Sequence, residues 1–160
     1  MTLVNIIALT VTVVYLMLGG IVYLHSRRET SEHYFWLISL SLTIWGLATF
    51  LTVSASPSLA LFKAGAYIHY IAGNLVFLFL LWFSVYFPER TARSILLPIC
   101  ITLVDGVFFI AIISSDFLFK WFSIDLDGQK NIIFNNAGYA LYALYILFLY
   151  AAAETILYKK

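Results

Sequence analysis

Four residues of this chain are of types that do chemistry and stand where such types are costly. Asp105, Asn74, Trp45 and His69 each lie inside a run of otherwise apolar residues. Polar and ionisable groups in such runs usually face the inside of a helix bundle and have a partner there, which makes all four candidate ligand-binding residues. Asp105 is the sharpest. It stands ten residues into the apolar run that starts at Ile95, roughly 15 Å along a helix rising about 1.5 Å per residue. Counting back from Phe87 puts Asn74 roughly 20 Å along, and counting from Tyr34 puts Trp45 about 16 Å along. The three are expected to share one polar layer, with a protonated Asp105 donating to Asn74. Three readings of Asp105 stand side by side: a bond that ties neighbouring helices together, a group that meets a ligand or carries a proton, or a carboxyl partly exposed to water.

His69 falls deeper by the same count, roughly 27 Å from the Phe87 end. Gly65 and Gly73 flank it four residues either way, and small residues at that spacing let a second helix approach closely. This face reads first as a packing seam bearing one polar group. His25 and His33 do not share its depth, so paired-histidine haem is not expected, and neither is a metal or any other cofactor. Tyr139, Tyr142 and Tyr145 recur every three residues, an aromatic stripe of the kind used for packing or for a membrane-interface belt, with a binding-site wall as the alternative.

No catalytic motif accompanies these residues. P-loop, GxSxG, HExxH, CxxC and dinucleotide fingerprints are all absent from the sequence, so no enzyme is expected. Cys100 has no second cysteine to pair with and reads as a small packing residue.

The elements that must position these groups follow from composition. The chain is 63% hydrophobic and 11% charged, with a mean hydropathy of +0.97, whereas soluble domains carry about 25% charged residues. A net charge of +1 without a basic stripe gives no reason to expect nucleic acid. The expected partner is the lipid bilayer. Spanning its core takes roughly 20 apolar residues per helix, and segments at about 3–25, 34–54, 59–87, 95–114 and 136–158 supply them. The expected fold is an all-α membrane protein, one transmembrane domain over residues 1–160. The first segment is too long for a signal peptide and has Arg27 and Arg28 behind it rather than in front, so it reads as a retained span. Pro57, Pro88 and Pro98 punctuate the helix ends. With the N-terminus outside, Arg27, Arg28, Arg90, Arg93, Lys159 and Lys160 fall on the cytoplasmic side, as the positive-inside rule requires. That predicts a multi-pass protein of the inner (plasma) membrane with a cytoplasmic C-terminus.

Between the fourth and fifth helices, residues 118–134 read as a short extracytoplasmic β-hairpin. Apolar and polar residues alternate from Ser123 to Asp127, and Asp127-Gly128 suits a two-residue type I′ turn. Phe119, Trp121 and Phe122 are expected to rest on the membrane surface or the bundle mouth, as a loop or as a lid over a ligand pocket.

A resemblance runs along most of the chain. The basic loop at Arg27-Arg28 is followed by Phe35-Trp36 and Trp45-Gly46. Next come Phe79, Phe83 and Phe87-Pro88-Glu89, then a hairpin with Asp127-Gly128, and a fifth helix entered through Gly138-Tyr139 and continuing with Tyr142. This order resembles the seven-transmembrane N-terminal sensor region of bacterial histidine kinases. The resemblance implies an N-out sensory input module of a two-component system. It also implies two further helices, a phospho-accepting histidine helix and an ATP-binding domain. This sequence ends at Lys159-Lys160 after five spans, so the resemblance reads as an input module cut short or a stand-alone relative. It supplies no ligand-binding residues. Its expected partners are a cytoplasmic kinase or other output domain, or a second copy in a homodimer. Two other functions stay open: a small transporter or channel subunit using Asp105, and a structural subunit of a membrane complex.

Overall fold

The computed structural model describes residues 3–25, 29–53, 58–87, 95–114, 116–126 and 128–158. Arg27, Arg28, Pro57, Pro88, Arg90, Arg93, Asp127, Lys159 and Lys160 lie outside them. Five helices and one hairpin follow in order: α1 (Leu3–His25), α2 (Thr30–Val53), α3 (Leu59–Tyr86), α4 (Leu96–Ser114), β1 (Phe119–Ile124), β2 (Lys130–Phe134) and α5 (Asn136–Tyr158). Each helix is long and apolar enough to cross a membrane.

Helix ends are set by local hydrogen bonds. Ser58 caps α3, its hydroxyl accepting from the Leu61 N–H at 3.3 Å. α2 starts four residues ahead of the apolar run. There the Glu32 carboxylate takes the Glu29 N–H at 2.9 Å, and a polar first turn is added that hydropathy does not register. Within the helices, hydroxyls are satisfied by their own backbone. Thr12, Ser39, Thr43, Thr52 and Thr102 each donate to the carbonyl four residues earlier, at 2.7–3.0 Å.

α3 is the central helix. It packs against α2, α4 and α5, while α1 lies on the far side of α2. Glycines set the closest approaches. A Cβ on Gly65 would come within 3.2 Å of Leu51 and Thr52 on α2, and one on Gly46 would run into the Thr12 hydroxyl of α1. The outward faces are apolar: Leu103, Val107 and Ile110 of α4 are 69, 66 and 64% exposed. Cys100 is exposed on α4 as well, so it is not the packing residue its neighbours suggested.

The hairpin departs from its expected turn. β1 and β2 pair antiparallel as far as Ile124 with Lys130. The connection is closed by the Gly128 N–H on the Asp125 carbonyl and the Asp125 N–H on the Gln129 carbonyl, both at 2.9 Å. Gly128 has φ of 75°, so a three-residue connection with glycine in the left-handed position replaces the two-residue turn. The ladder shifts register between Phe119 and Trp121. This bulge puts Phe119 and Phe122, an odd number of residues apart, on the same face.

That face folds down on the bundle. Phe122 meets Phe62 edge-on at 5.7 Å and Phe119 meets Tyr67 at 4.9 Å, whereas Trp121 points away, 64% exposed. Lys130 reaches across to donate to the Thr52 carbonyl in the last turn of α2 at 3.0 Å. Burial there pushes the Lys130 ammonium below its ordinary range.

Candidate functional site

The four residues singled out from sequence fall into two pairs on opposite sides of α3. On one side, Asn74 Nδ2 donates to Asp105 Oδ1 at 2.7 Å, joining α3 to α4. The Tyr145 hydroxyl of α5 donates to the same oxygen at 3.1 Å and lies 3.4 Å from the Ile101 carbonyl. Asn74 is fully buried and Asp105 is 4% exposed. Phe108 stacks on the Tyr145 ring with centroids 4.3 Å apart and seals this knot. Asp105 Oδ1 is thus the meeting point of Asn74 and Tyr145, which brings together the Asp105–Asn74 pair expected from the sequence. Asn74 Oδ1 is buried with no hydrogen-bond partner.

On the other side, Trp45 Nε1 donates to His69 Nε2 at 3.1 Å, and Thr49 Oγ1 lies 3.0 Å from His69 Nδ1. The Thr49 hydroxyl donates back to the Trp45 carbonyl at 2.9 Å. An indole nitrogen can only donate, so Nε2 must accept and the ring proton sits on Nδ1, directed at Thr49. The result is a closed ring of bonds between α2 and α3 that fixes the imidazole tautomer and the indole plane together.

Trp45 therefore does not join the Asn74–Asp105 layer. Its depth was read correctly, since its indole lies against Gly73, the residue before Asn74. Its direction was not. Successive helical residues point about 100° apart, so Asn74 turns to α4 while Gly73 and His69 turn to α2.

The Trp45–His69 side opens into a groove of about 550 Å³ laid over α3 between α2 and α5. Trp45, His69, Tyr70 and Gly73 form one wall and the floor, and Tyr139, Tyr142 and Ile146 form the other wall. The tyrosine stripe thus divides. Tyr139 and Tyr142 line the groove, and the Tyr142 hydroxyl donates to the Tyr70 carbonyl at 2.8 Å. Tyr145, six residues beyond Tyr139 and so about 120° round the helix, turns to Asp105 instead. Above the groove, Phe134 of the hairpin contacts Tyr70 at 5.9 Å and Tyr139 at 5.0 Å. The hairpin braces the groove's upper end and does not line it.

Sequence reasoning did not single out Thr49 or Tyr70. Thr49 was findable, being one helical turn beyond Trp45 on the same face. Tyr70 carried no such signal. Among the described residues, no group of three or more His, Cys, Asp or Glu side chains is placed to hold a metal ion. Lys63 lies over the Phe122 ring at 5.7 Å, and Glu154 accepts a hydrogen bond from Tyr150, so neither belongs to the site.

Compared with protein-family models, with curated proteins and with solved structures, the chain matches none.

Proposed function

We propose that this protein is a membrane-embedded sensory input module: the groove between α2 and α5 receives a small molecule dissolved in the bilayer, and α5 carries the response to the opposite face. The observation that carries the reading is the groove itself. One wall is held rigid by the Trp45–His69–Thr49 bonds, and the other belongs to α5, which bonds to α3 and α4 through the Tyr142 and Tyr145 hydroxyls and packs against them through Leu149 and Ala153. An occupant would push α5 against its packing on α3 and α4 and so shift the contacts it makes there. Helix shifts of about 1–2 Å are the usual scale of such signals. Membrane residence is supported by the five long apolar helices and by the apolar residues on their outward faces. The basic loops favour a plasma membrane with the N-terminus outside, the hairpin extracytoplasmic and α5 ending in the cytoplasm. A kinase or other output partner would meet it there, as the resemblance to histidine-kinase sensor regions implies.

The transporter reading is weaker. Asp105 does not line the groove and its carboxyl is occupied by Asn74 and Tyr145, the arrangement expected of a group that ties helices together.

The test uses the chain in lipid nanodiscs, with Cys100→Ser as background and spin labels at positions 87 and 155. Gly73→Leu fills the groove from its floor and stands in for an occupant. A change of about 2 Å in the label distance is expected. An unchanged distance refutes the input reading. Proton flux in liposomes that Asp105→Asn abolishes would replace it with transport.

A further inference from the structure

We infer that the groove is a slot for a neutral, planar, conjugated lipophile that carries a hydrogen-bond acceptor at one end. This rests on the groove being a receiving site, and it adds the chemistry of what is received.

The first argument is an account of polar atoms. The Trp45 indole N–H is spent on His69, the His69 N–H on Thr49, and the Thr49 hydroxyl on the Trp45 carbonyl. The Tyr142 hydroxyl is spent on the Tyr70 carbonyl. The side-chain hydroxyls of Tyr139, which is 43% exposed, and of Tyr70 make no hydrogen bond among the described residues, so these two neighbouring hydroxyls are the donors left for a ligand. No carboxylate, ammonium or guanidinium lines the groove. A charged ligand would be stripped of water without a partner, which is strongly unfavourable. A neutral ligand with an acceptor near Tyr139 meets no such penalty.

The second argument is the shape of the floor. A Cβ on Gly73 would sit 3.6 Å from Trp45 Nε1 and 3.7 Å from the Tyr142 hydroxyl, ordinary contacts that need nothing to move. Helix packing therefore does not require glycine here, in contrast to Gly65. A glycine inside a helix is less stable than an alanine, and one use that offsets this is close approach of a ligand to the backbone. The bare backbone at Gly73 lies between the indole of Trp45 and the edge of Tyr142. That leaves a narrow gap with aromatic sides, suited to a flat ring that stacks or meets its neighbours edge-on.

The test is equilibrium dialysis of the full chain in nanodiscs, with empty nanodiscs as the partition control. The probes are 2-acetylnaphthalene, its saturated counterpart 2-acetyldecalin, 2-naphthoate and unsubstituted naphthalene. Retention of 2-acetylnaphthalene above the control is expected, at least tenfold tighter than the saturated or charged probe. Gly73→Ala and, independently, Ala143→Leu should each weaken it about tenfold with helicity unchanged. Tyr139→Phe should weaken 2-acetylnaphthalene several-fold and leave naphthalene unaffected. Equal, Gly73-sensitive binding of the saturated or charged probe overturns the ligand class and leaves the groove standing as a site. Absence of Gly73-sensitive binding by every probe overturns the slot. The label-distance experiment is independent of both results.

Discussion

Removing the Asp105 and Asn74 side chains together should harm the protein less than the sum of removing each alone. With Asp105→Leu alone, Asn74 keeps a buried amide that has lost its acceptor at 2.7 Å and whose oxygen is already without a partner. Leaving such a group unsatisfied costs about 1–3 kcal/mol. The Tyr145 hydroxyl retains only the Ile101 carbonyl at 3.4 Å, a weaker bond than the one it lost. Asn74→Leu alone leaves the Asp105 carboxyl with Tyr145 as its sole side-chain donor, a penalty of similar size. In the double variant both orphaned groups are gone and two leucines face each other. The deficit should then fall well short of the sum of the singles, by a coupling of about 1–2 kcal/mol. Measured interhelical hydrogen bonds in membrane bundles average about 0.6 kcal/mol and reach about 1.7, so a value at the upper end is expected for a knot this buried. Equilibrium unfolding in mixed micelles, followed by circular dichroism across the four proteins of the cycle, measures it. Additivity within about 0.3–0.5 kcal/mol is the behaviour of independent sites and would refute the claim that the two side chains form one unit.

Three further outcomes are expected. Gly65→Ala should lower stability by about 1–2 kcal/mol in the same micelle assay by forcing α2 and α3 apart. Gly73→Ala should be neutral or stabilising by up to about 1 kcal/mol. The reverse order would show that the two glycines were assigned the wrong roles. Gly128→Ala places a side chain at φ of 75° and should cost about 1 kcal/mol, seen as faster amide exchange confined to β1 and β2. Nitrogen-detected NMR titration of Lys130 should give a midpoint below 10.5. Because the unfolded chain binds that proton more tightly, stability should rise with pH across the window just below 10.5 and level off above it. A midpoint at or above 10.5 would show that the ammonium is not desolvated at the end of α2.

Hydropathy marked all five helices, because crossing-length apolar runs leave few alternatives. It missed the first turn of α2, where a glutamate side chain rather than an apolar residue extends the helix. Counting residues gave the depths of Asn74 and Asp105 closely enough to bring them together. Depth is a sum of rises and tolerates error, whereas direction changes by about 100° per residue. One residue's difference therefore sent Trp45 to His69 instead of to Asn74. The same geometry split the tyrosine stripe. Asp127-Gly128 marked the hairpin, but a dipeptide does not reveal a bulge, and the bulge is what turned both Phe119 and Phe122 inward. The groove itself was not legible, because it is bounded by three helices whose mutual placement no single segment encodes.

The self-bonded hydroxyls have a consequence for biogenesis. If the helices enter a bilayer as proposed, Thr12, Ser39 and Thr43 need nothing from a neighbour, and these hydroxyls leave α1 and α2 free to go from the insertion machinery one at a time. Asn74 is different. When α3 is made its amide has no acceptor, and its partner Asp105 is still 31 residues from synthesis. Tyr145, which completes the knot, lies 40 residues later again. On the proposed membrane reading, the middle helix would therefore wait at the protein-lined exit, or be shielded by α2, until the chain behind it arrives.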